Sequence, residues 1–447
     1  MSTHAQNSNG GVLGMLKKIV ASESFSGIFL FLCAVLAMIV ANSPLGDMYR
    51  ALWHFHWGFS WGGAPIELSM EHWINDVLMS FFFLVVGLEI KYELIYGALA
   101  SFKKAAFPVL AALGGMVVPG LIYYSLNMGT PSENGFGIPM ATDIAFALGV
   151  MLMLGSRVPV ALKVFLVTLA VADDLGAIIV IAIFYTTNLQ LEYLGAAVAV
   201  LVLLVILGKL GVRSLVPYLV LGVPLWLCVH ACGVHATIAA VALAFTIPAG
   251  SKLSVGDYFK KSTSDIKEMQ DEDKNRDRDI LSDDQAHTVA HLIKHSQEVQ
   301  SPMMRLQHAL HPWSSYLIMP LFAFANAGVE IGDSVHFDID NILLGIAGGL
   351  IVGKPVGIFL ATFLCEKLGI AERPDGVSWI DILGAGMLAG IGFTMSIFVT
   401  MLAFKGLDPT IMQESVDLAK LTILCSSLTA GVLGALFLIF ETKFSKH

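Results

Sequence analysis

Residues 160–186 read VALKVFLVTLAVADDLGAIIVIAIFYT, an apolar stretch that carries the adjacent aspartates Asp173 and Asp174 near its centre. A helix that crosses the hydrocarbon core of a bilayer needs about 20 predominantly apolar residues, and this stretch is longer than that. A charged side chain at the bilayer centre costs at least about 2.5 kcal/mol on insertion scales. The stretch therefore predicts a membrane-spanning helix whose two acids are functional.

The composition of the 447-residue chain agrees with that interpretation. Hydrophobic residues make up 56% and charged residues 14%, whereas about 25% of the residues in an ordinary globular domain are charged. So few charged groups cannot cover a protein of this size in water. The sequence therefore predicts an all-α polytopic membrane protein whose main solvent is the lipid bilayer. The net charge of −9 argues against a nucleic-acid partner, which requires a basic face.

Twelve stretches have the length and apolar character of membrane spans, although several are short or broken. They lie at 23–42, 73–90, 106–127, 139–155, 160–186, 193–210, 215–231, 234–248, 312–329, 341–365, 380–403 and 419–441. If the N-terminus is cytoplasmic, thirteen Lys and Arg residues outside the 249–311 segment lie on the cytoplasmic side, and three lie on the other side. Basic residues are enriched in cytoplasmic loops, so we expect both termini in the cytoplasm.

The chain has four predicted parts, and two of its connections are long. The connection at 43–72 is extracytoplasmic in this topology, and the Gly62–Gly63 pair among its aromatic residues predicts a short hairpin. The other connection is the only strongly charged segment of the chain. The parts are a cytoplasmic N-terminal tail at 1–22, eight spans at 23–248, a charged cytoplasmic insert at 249–311, and four spans with a short cytoplasmic tail at 312–447.

The insert combines a very polar stretch with a stretch that carries helix signals. Residues 267–279 have too little apolar content to fold, which predicts solvated coil. Ser282 and Gln285 have the spacing of a capping box and predict the start of a short amphipathic helix. Three histidines at four-residue spacing share one face of that helix, which fits either a solvated histidine-rich helix or a surface that senses pH or binds metal: His287, His291 and His295.

The deepest ionisable side chains of the predicted spans are Asp143, Asp173, Asp174 and Lys354. One aspartate paired with Lys354 would leave two carboxylates without a cation, so we interpret the substrate as the missing cation. Carboxylates crowded in a low dielectric cannot all stay ionised, and such groups also bind protons. Competition of protons and a cation for one site, combined with alternating access, is antiport. It requires no catalytic residue and no cofactor, and we expect a transporter rather than an enzyme.

The shallower ionisable side chains have less definite roles. Asp76 in the second span is either structural or on an ion path. Glu89 lies near the cytoplasmic end of the same span, where an interfacial anchor and a role in transport are both open. His235 begins the eighth span.

Backbone-breaking residues interrupt two of the predicted spans. The fourth is interrupted around Pro139 to Asp143, and the eleventh carries a glycine-rich break at Gly390 to Gly392. Broken spans in the two halves of a transporter indicate a binding site at the midplane of an inverted-topology repeat. The tenth span has small residues at four-residue spacing, which predicts close helix packing: Gly345, Gly349, Gly353 and Gly357.

Together these segments resemble the NhaA-type sodium/proton antiporters of bacterial inner membranes, a family that is itself an example of the inverted-repeat rule. The resemblance covers the chain from about residue 20 onwards, and its motifs occur in family order. They are Ala141–Gly149, Ala172–Ile178, Gly233–Thr237, His308–Trp313, Gly353–Pro355 and Gly390–Ser396.

The resemblance implies a role for each deep side chain. Asp174 would be the main Na⁺ ligand, with Asp173 beside it as a second ligand and Thr142 nearby. Lys354 would pair with Asp173 in the proton-loaded or ion-free state. Asp143 would offset charge where the two broken helices cross. Family members exchange more protons than sodium ions, so transport would be electrogenic, with Li⁺ as a second substrate. A homodimer would form partly through the extracytoplasmic hairpin.

The resemblance also implies a response to pH, and here the chain departs from the family. Family members often have glutamate at the position of Gln307, at the cytoplasmic mouth. His308 and His311 remain as candidate pH-responsive residues, together with Glu89 and His235. The insert is also longer than the connection usual in the family.

Three other functions fit part of the pattern. The same fold could exchange K⁺ for H⁺ or act as a sodium-coupled symporter, because ion selectivity depends on cavity size. An intramembrane aspartyl protease uses two facing aspartates, whereas Asp173 and Asp174 lie about 100° apart on one helix. A passive channel does not need such titratable carboxylates.

Overall fold

The computed structural model describes residues 23–61, 64–186, 189–273, 281–331 and 340–444. Within these ranges the secondary structure is helical apart from one pair of strands, which confirms the predicted all-α class. The strands are β1 (His56–Trp61) and β2 (Ala64–Ser69). The helices are α1 (Glu23–Ala41), α2 (Gly46–His54), α3 (Met70–Ile95), α4 (Phe102–Asn127), α5 (Ile144–Met153), α6 (Val160–Phe184), α7 (Leu191–Lys209), α8 (Val216–Ala231), α9 (Thr237–Thr246), α10 (Val255–Asp273), α11 (Asp283–Val299), α12 (Pro302–Trp313), α13 (Met319–Asn326), α14 (Asn341–Lys367), α15 (Trp379–Ala389), α16 (Phe393–Ala403) and α17 (Pro409–Phe444).

The predicted spans coincide with these helices or with short series of them. Among the described residues, seven helical segments are long and apolar enough to cross a bilayer alone, and two more are bent pairs. Helices α8 and α9 are shorter. The ten residues of α9 rise about 15 Å at 1.5 Å per residue, which is half of the hydrocarbon core. The chain is therefore a multi-pass membrane protein with broken and short helices.

The chain divides into two compact units. The first takes its described residues from 1–82, 93–188 and 313–447, and it contains all four of the deepest ionisable side chains. The second consists of 83–92 and 189–312, which include a part of α3, helices α7 to α11, and α12 except for its last residue.

The connection at 43–72 in the first unit contains a helix as well as the predicted hairpin. Strands β1 and β2 pair antiparallel, with His56 opposite Ser69, and the Gly62–Gly63 turn lies outside the described residues. Helix α2 comes before the hairpin, and the aromatic alternation of the sequence did not predict it. The hydroxyl of Tyr49 fixes α2 by donating a hydrogen bond to the carbonyl of Phe324 on α13.

The fourth and eleventh predicted spans are broken where the sequence predicts. A 3₁₀ helix, Glu133–Met140, comes before α5, and the backbone at 141–143 between them is not helical. Helices α15 and α16 are separated by 390–392 and are bent by 51° relative to each other. Proline and glycine at these positions end one helix before the next begins. Each broken span therefore presents helix ends inside the protein.

The two breaks contact each other. The backbone N–H of Asp143 donates to the carbonyl of Ile391 at 2.7 Å, and the hydroxyl of Ser396 donates to the carbonyl of Ile138 at 2.7 Å. Non-helical backbone at membrane depth must satisfy its hydrogen bonds inside the protein. The crossing achieves this because each broken helix supplies partners for the other.

Helix α14 packs closely on α4 through the predicted row of glycines. Gly357 lies so close to Gly114 that a Cβ on either residue would collide with the carbonyl of the other. The stretch Gly348–Gly353 is π-helical, and regular α-helix resumes at Lys354. A π-helical turn changes the direction in which the following side chains point.

In the second unit, Lys91 has a structural role at the end of a helix. This buried side chain donates hydrogen bonds to the carbonyls of Ala244, Phe245 and Ile247, at the C-terminal end of α9. The last carbonyls of a helix have no partner within it, and a cation there complements the helix dipole. Lys91 therefore caps α9.

The prediction of coil in the insert is wrong for 267–273, because α10 continues through Asp273. The remaining part of that prediction, 274–279, lies outside the described residues. The physical reason is tertiary: α10 packs against α11, Ser262 is buried, and the Asp265 carboxylate lies 3.0 Å from Nδ1 of His295. Packing against a neighbour stabilises a helix that its own composition does not favour.

Helix α11 begins with the predicted capping box. The Ser282 side chain accepts from the Gln285 backbone N–H, and the Gln285 side chain accepts from the Ser282 N–H. The three histidines lie along one face, with 4.4 Å between the ring centroids of His287 and His291. Among the described residues, no group of three or more His, Cys, Asp or Glu side chains is arranged to hold a metal ion.

Candidate functional site

Helix α6 carries Asp173 and Asp174 near its midpoint, and both side chains are buried, with exposures of 1% and 3%. The residues around them are mainly alanine, leucine, valine and isoleucine, and the helix is continuous from Val160 to Phe184. The acids are therefore held by a regular helix. Their geometry is fixed more firmly than that of residues on a loop.

Lys354 connects α14 to this pair. Its side chain is fully buried, and Nζ donates to Oδ2 of Asp173 at 2.6 Å and to Oγ1 of Thr142 at 2.6 Å. Thr142 lies in the break before α5, and its hydroxyl donates in turn to the carbonyl of Ala389, the last residue of α15. The chain of hydrogen bonds thus joins α6, α14 and both broken helices.

Asp173 has one carboxylate oxygen engaged and one available. Oδ2 accepts from Lys354, whereas Oδ1 is buried and has no hydrogen-bond partner among the described residues. A buried carboxylate oxygen without a partner is costly, and such atoms are candidates for binding a proton or a cation. Asp174 also acts electrostatically on Lys354. The structure therefore brings Asp173, Asp174, Thr142 and Lys354 together.

Asp143 occupies a different position at the crossing. Its Oδ1 accepts from the backbone N–H of Phe146 at 3.0 Å, which makes Asp143 the N-cap of α5. Its Oδ2 accepts from the backbone N–H and the hydroxyl of Thr394, in the first turn of α16. The N-termini of two helices, each with a positive dipole end, thus meet at one carboxylate. The Asp143 carboxylate is therefore held by these helix ends, and among the described residues Lys354 pairs with Asp173 instead.

Thr394 is a site residue whose role the sequence alone did not assign. Thr394 lies in the Gly390–Ser396 motif. Its position two residues after Gly392 is the signal that could have identified its role. A residue just after a helix break lies in the first turn, where its N–H is free to bind an anion. What the sequence could not give is the partner, because Asp143 lies 251 residues earlier in the chain.

The donors near Lys354 suit a hard cation. Lys354 is hydrogen-bonded to the Asp173 carboxylate and the Thr142 hydroxyl, is linked through Thr142 to the Ala389 carbonyl, and interacts electrostatically with the Asp174 carboxylate; all of these groups offer oxygen atoms. Oxygen ligands suit alkali and alkaline-earth ions, whereas sulfur and imidazole suit transition metals. The arrangement can exchange a buried ammonium, a proton or a small cation at the same carboxylates.

Asp76 lies apart from this group. It is half-buried in the π-helical stretch Trp73–Leu78 of α3. Its neighbour Asn75 forms a reciprocal amide pair with Asn326 of α13, at 2.8 and 3.2 Å. In the part of the chain that the structure describes, no hydrogen bond or ion pair joins Asp76 to Lys354. Its position fits either of the two roles that the sequence left open.

The candidate pH-responsive residues belong to the second unit. His308 and His311 are exposed on α12, one helical turn apart, and Gln307 beside them is half-buried. His235 comes just before α9, and Glu89 lies on α3, two residues before Lys91; both side chains are half-buried. Gln307, His308 and His311 therefore share one helix.

The sequence of this chain is similar to those of several known proteins. Residues 17–438 match the family model described as Na⁺/H⁺ antiporter 1. A protein of Wolinella succinogenes named Na(+)/H(+) antiporter NhaA is 60% identical over 438 residues, covering 98% of this chain and 96% of that protein. Na(+)/H(+) antiporter NhaA 2 of Helicobacter hepaticus is 56% identical over 434 residues, covering 97% and 96%. Na(+)/H(+) antiporter NhaA of Helicobacter pylori strain G27 is 55% identical over 436 residues, covering 96% of each.

Proposed function

Because this chain belongs to the Na⁺/H⁺ antiporter 1 family, we propose that it exchanges cytoplasmic Na⁺ for external H⁺ across the bacterial inner membrane. In this role it would remove sodium from the cell and help to control internal pH. The chain is a transporter of small cations in a bilayer rather than an enzyme. Li⁺ is the second substrate in this proposal, because it is also a small hard cation.

The contact of Lys354 with Asp173 is the observation that carries the proposal. In the ion-free state the Lys354 ammonium occupies the place of a cation at Oδ2 of Asp173. Arrival of Na⁺ at Asp173 and Asp174 displaces the ammonium, and arrival of protons neutralises the carboxylates. Na⁺ and H⁺ therefore exclude each other, and the site alternates between them.

Charge balance gives the proposed exchange its direction. Two carboxylates that each take up a proton in place of one Na⁺ bring in more positive charge than they release. The membrane potential, negative inside, then drives protons inwards and sodium outwards. In this proposal Asp143 offsets charge at the crossing, where it accepts hydrogen bonds at the N-termini of α5 and α16.

Proton flux in everted membrane vesicles tests the proposed function. In vesicles with an acid interior, addition of Na⁺ or Li⁺ should collapse the proton gradient, and addition of K⁺ at the same concentration should not. Imposing a membrane potential should change the rate, because the exchange moves net charge. A response to K⁺ equal to that to Na⁺ would favour K⁺/H⁺ exchange, and a rate independent of potential would contradict electrogenic exchange.

The proposed orientation and assembly follow from the sequence. Outside 249–311, the thirteen basic residues against three support both termini in the cytoplasm, because basic residues are enriched in cytoplasmic loops. The charged insert at 249–311 then lies on the cytoplasmic side and the β1–β2 hairpin on the outer side. We propose a homodimer to which this hairpin contributes, because its strands offer backbone donors and acceptors to a second copy.

Exchange of Gln307 for glutamate should shift the pH dependence of transport. If protonated His308 or His311 holds the transporter inactive, the new carboxylate would stabilise the charged imidazolium. Activation should then require a more alkaline pH, with the maximal rate little changed. The measurement is the rate of exchange against pH at saturating Na⁺ for the parent and for Gln307→Glu.

Two further variants complete this test. Gln270→Glu adds the same charge on the exposed surface of α10 and should leave the curve unchanged. Replacement of both His308 and His311 by glutamine should flatten the profile. If the Gln307→Glu curve overlays that of the parent and the double variant keeps its midpoint, proton competition at Asp173 and Asp174 sets the pH dependence.

A further inference from the structure

A basic cavity lies in the second unit, where the loop between α7 and α8, the loop before α10, the end of α11 and the start of α12 meet. Its volume is about 300 Å³. A water molecule occupies roughly 30 Å³ in the liquid, so the cavity is much larger than one water molecule. Four cationic side chains and one acid line it: Arg213, Lys252, Lys294, Arg305 and Glu298.

The charges of the cavity do not cancel. Lys252 forms an ion pair with Glu298, with 2.7 Å between Nζ and Oε1, and Arg213 donates to the carbonyl of Gly250 at 2.8 Å. The side chains of Lys294 and Arg305 make no ion pair or hydrogen bond within the described ranges. A chain with a net charge of −9 thus concentrates three uncompensated cations around one cavity.

The start of α12 also favours an anion there, while Glu298 holds Lys252 at the cavity. The hydrogen bond from Lys252 and the nearby charges of Lys252, Lys294 and His295 lower the pKa of Glu298, so its carboxylate is ionised and keeps Lys252 in place. Helix α12 begins at Pro302, which also lines the cavity. The positive end of a helix dipole adds to the attraction for a negative group.

The lining decides which kind of anion fits. Apart from Pro302 the described lining residues are glycine, polar or charged. A lipid headgroup site would also need an apolar wall for the acyl chains next to it. Arginine and lysine together recognise phosphate through charge-assisted hydrogen bonds. We propose that this cavity binds a phosphate-bearing solute of the cytoplasm, which joins the insert helix α11 to the start of α12.

Thermal unfolding of the purified full-length protein in an uncharged detergent tests this binding. Inorganic phosphate is the probe, titrated at constant pH and ionic strength against chloride. Phosphate should raise the unfolding temperature in a saturable way. Lys294→Gln and Arg305→Gln should each weaken the apparent affinity about tenfold, because each removes one charge-assisted hydrogen bond. Glu298→Gln should strengthen binding, because it removes the only negative charge among the described lining residues.

Controls separate this proposal from its alternatives. Lys261→Gln removes an exposed charge of α10 outside the cavity and should keep the affinity of the parent. Equilibrium dialysis with labelled phosphate gives the same comparison for any variant whose unfolding is altered. Equal stabilisation by chloride, or equal loss in Lys261→Gln, would overturn the proposal.

Reconstitution distinguishes a solute from a lipid. The parent is placed in vesicles of phosphatidylglycerol or of phosphatidylcholine without free phosphate. If phosphatidylglycerol stabilises the protein through Lys294 and Arg305 while inorganic phosphate does not, the occupant is a headgroup and the proposal is wrong. If inorganic phosphate binds and the two vesicles behave alike, the proposal holds.

Discussion

Asp174→Asn should reduce Na⁺-dependent proton exchange in everted vesicles to the background of vesicles without the protein. The amide keeps the shape of the side chain but cannot bind a proton in exchange for a cation. Asp174 is 3% exposed and acts electrostatically on Lys354, so its carboxylate belongs to the charge balance of the site. The measurement is the rate at which Na⁺ and Li⁺ collapse an imposed proton gradient.

A matched variant shows whether the loss is specific. Asp375→Asn makes the same chemical change at an exposed position and should transport like the parent. Both variants should be recovered from membranes in amounts similar to the parent, because the amide can still accept and donate hydrogen bonds. Normal exchange by Asp174→Asn would remove Asp174 from the proposed site.

Lys354→Ala should destabilise the protein by about 3–5 kcal/mol, the cost of leaving one partner of a buried ion pair alone. Lys354 is fully buried and contacts both Asp173 and Thr142 at 2.6 Å. Without it, the Asp173 carboxylate has no cation in the ion-free state. We expect a clear fall in the thermal unfolding temperature in detergent, together with altered proton coupling.

Addition of Asp173→Asn to the Lys354→Ala variant should partly restore the lost stability. The double variant Lys354→Ala with Asp173→Asn removes both charges, so it should regain part of the lost stability while remaining inactive. Lys405→Ala, at an exposed position, controls for the loss of a lysine as such. A single Lys354→Ala variant as heat-stable as the parent would refute a stabilising pair.

Sequence reasoning succeeded where the signal is local. Apolar stretches of about 20 residues predict helices in a membrane because the backbone there must satisfy its own hydrogen bonds. The breaks near Asp143 and Gly390 are also predicted from local signals, because proline and glycine interrupt helices through their own geometry. The capping box at Ser282 and Gln285 was also found correctly.

The prediction failed where packing outweighs composition. The start of the 267–279 stretch was expected to be coil, but α10 extends to Asp273 because it lies against α11. Helix α2 was not predicted, and it is held by the contact of Tyr49 with a carbonyl of α13. In both cases the stabilising partner is distant in sequence, so no local pattern can reveal it.

The sequence by itself determined the helical membrane fold, the positions of the breaks and the presence of more buried acids than basic partners. It also determined the family, through motifs spread along the whole chain. Only the tertiary structure decided which charge meets which partner. Asp173 meets Lys354 across 181 residues, while Asp143 is bound by Thr394 across 251. Residue spacing constrains only neighbours within a helix, whereas these contacts depend on how the broken helices cross.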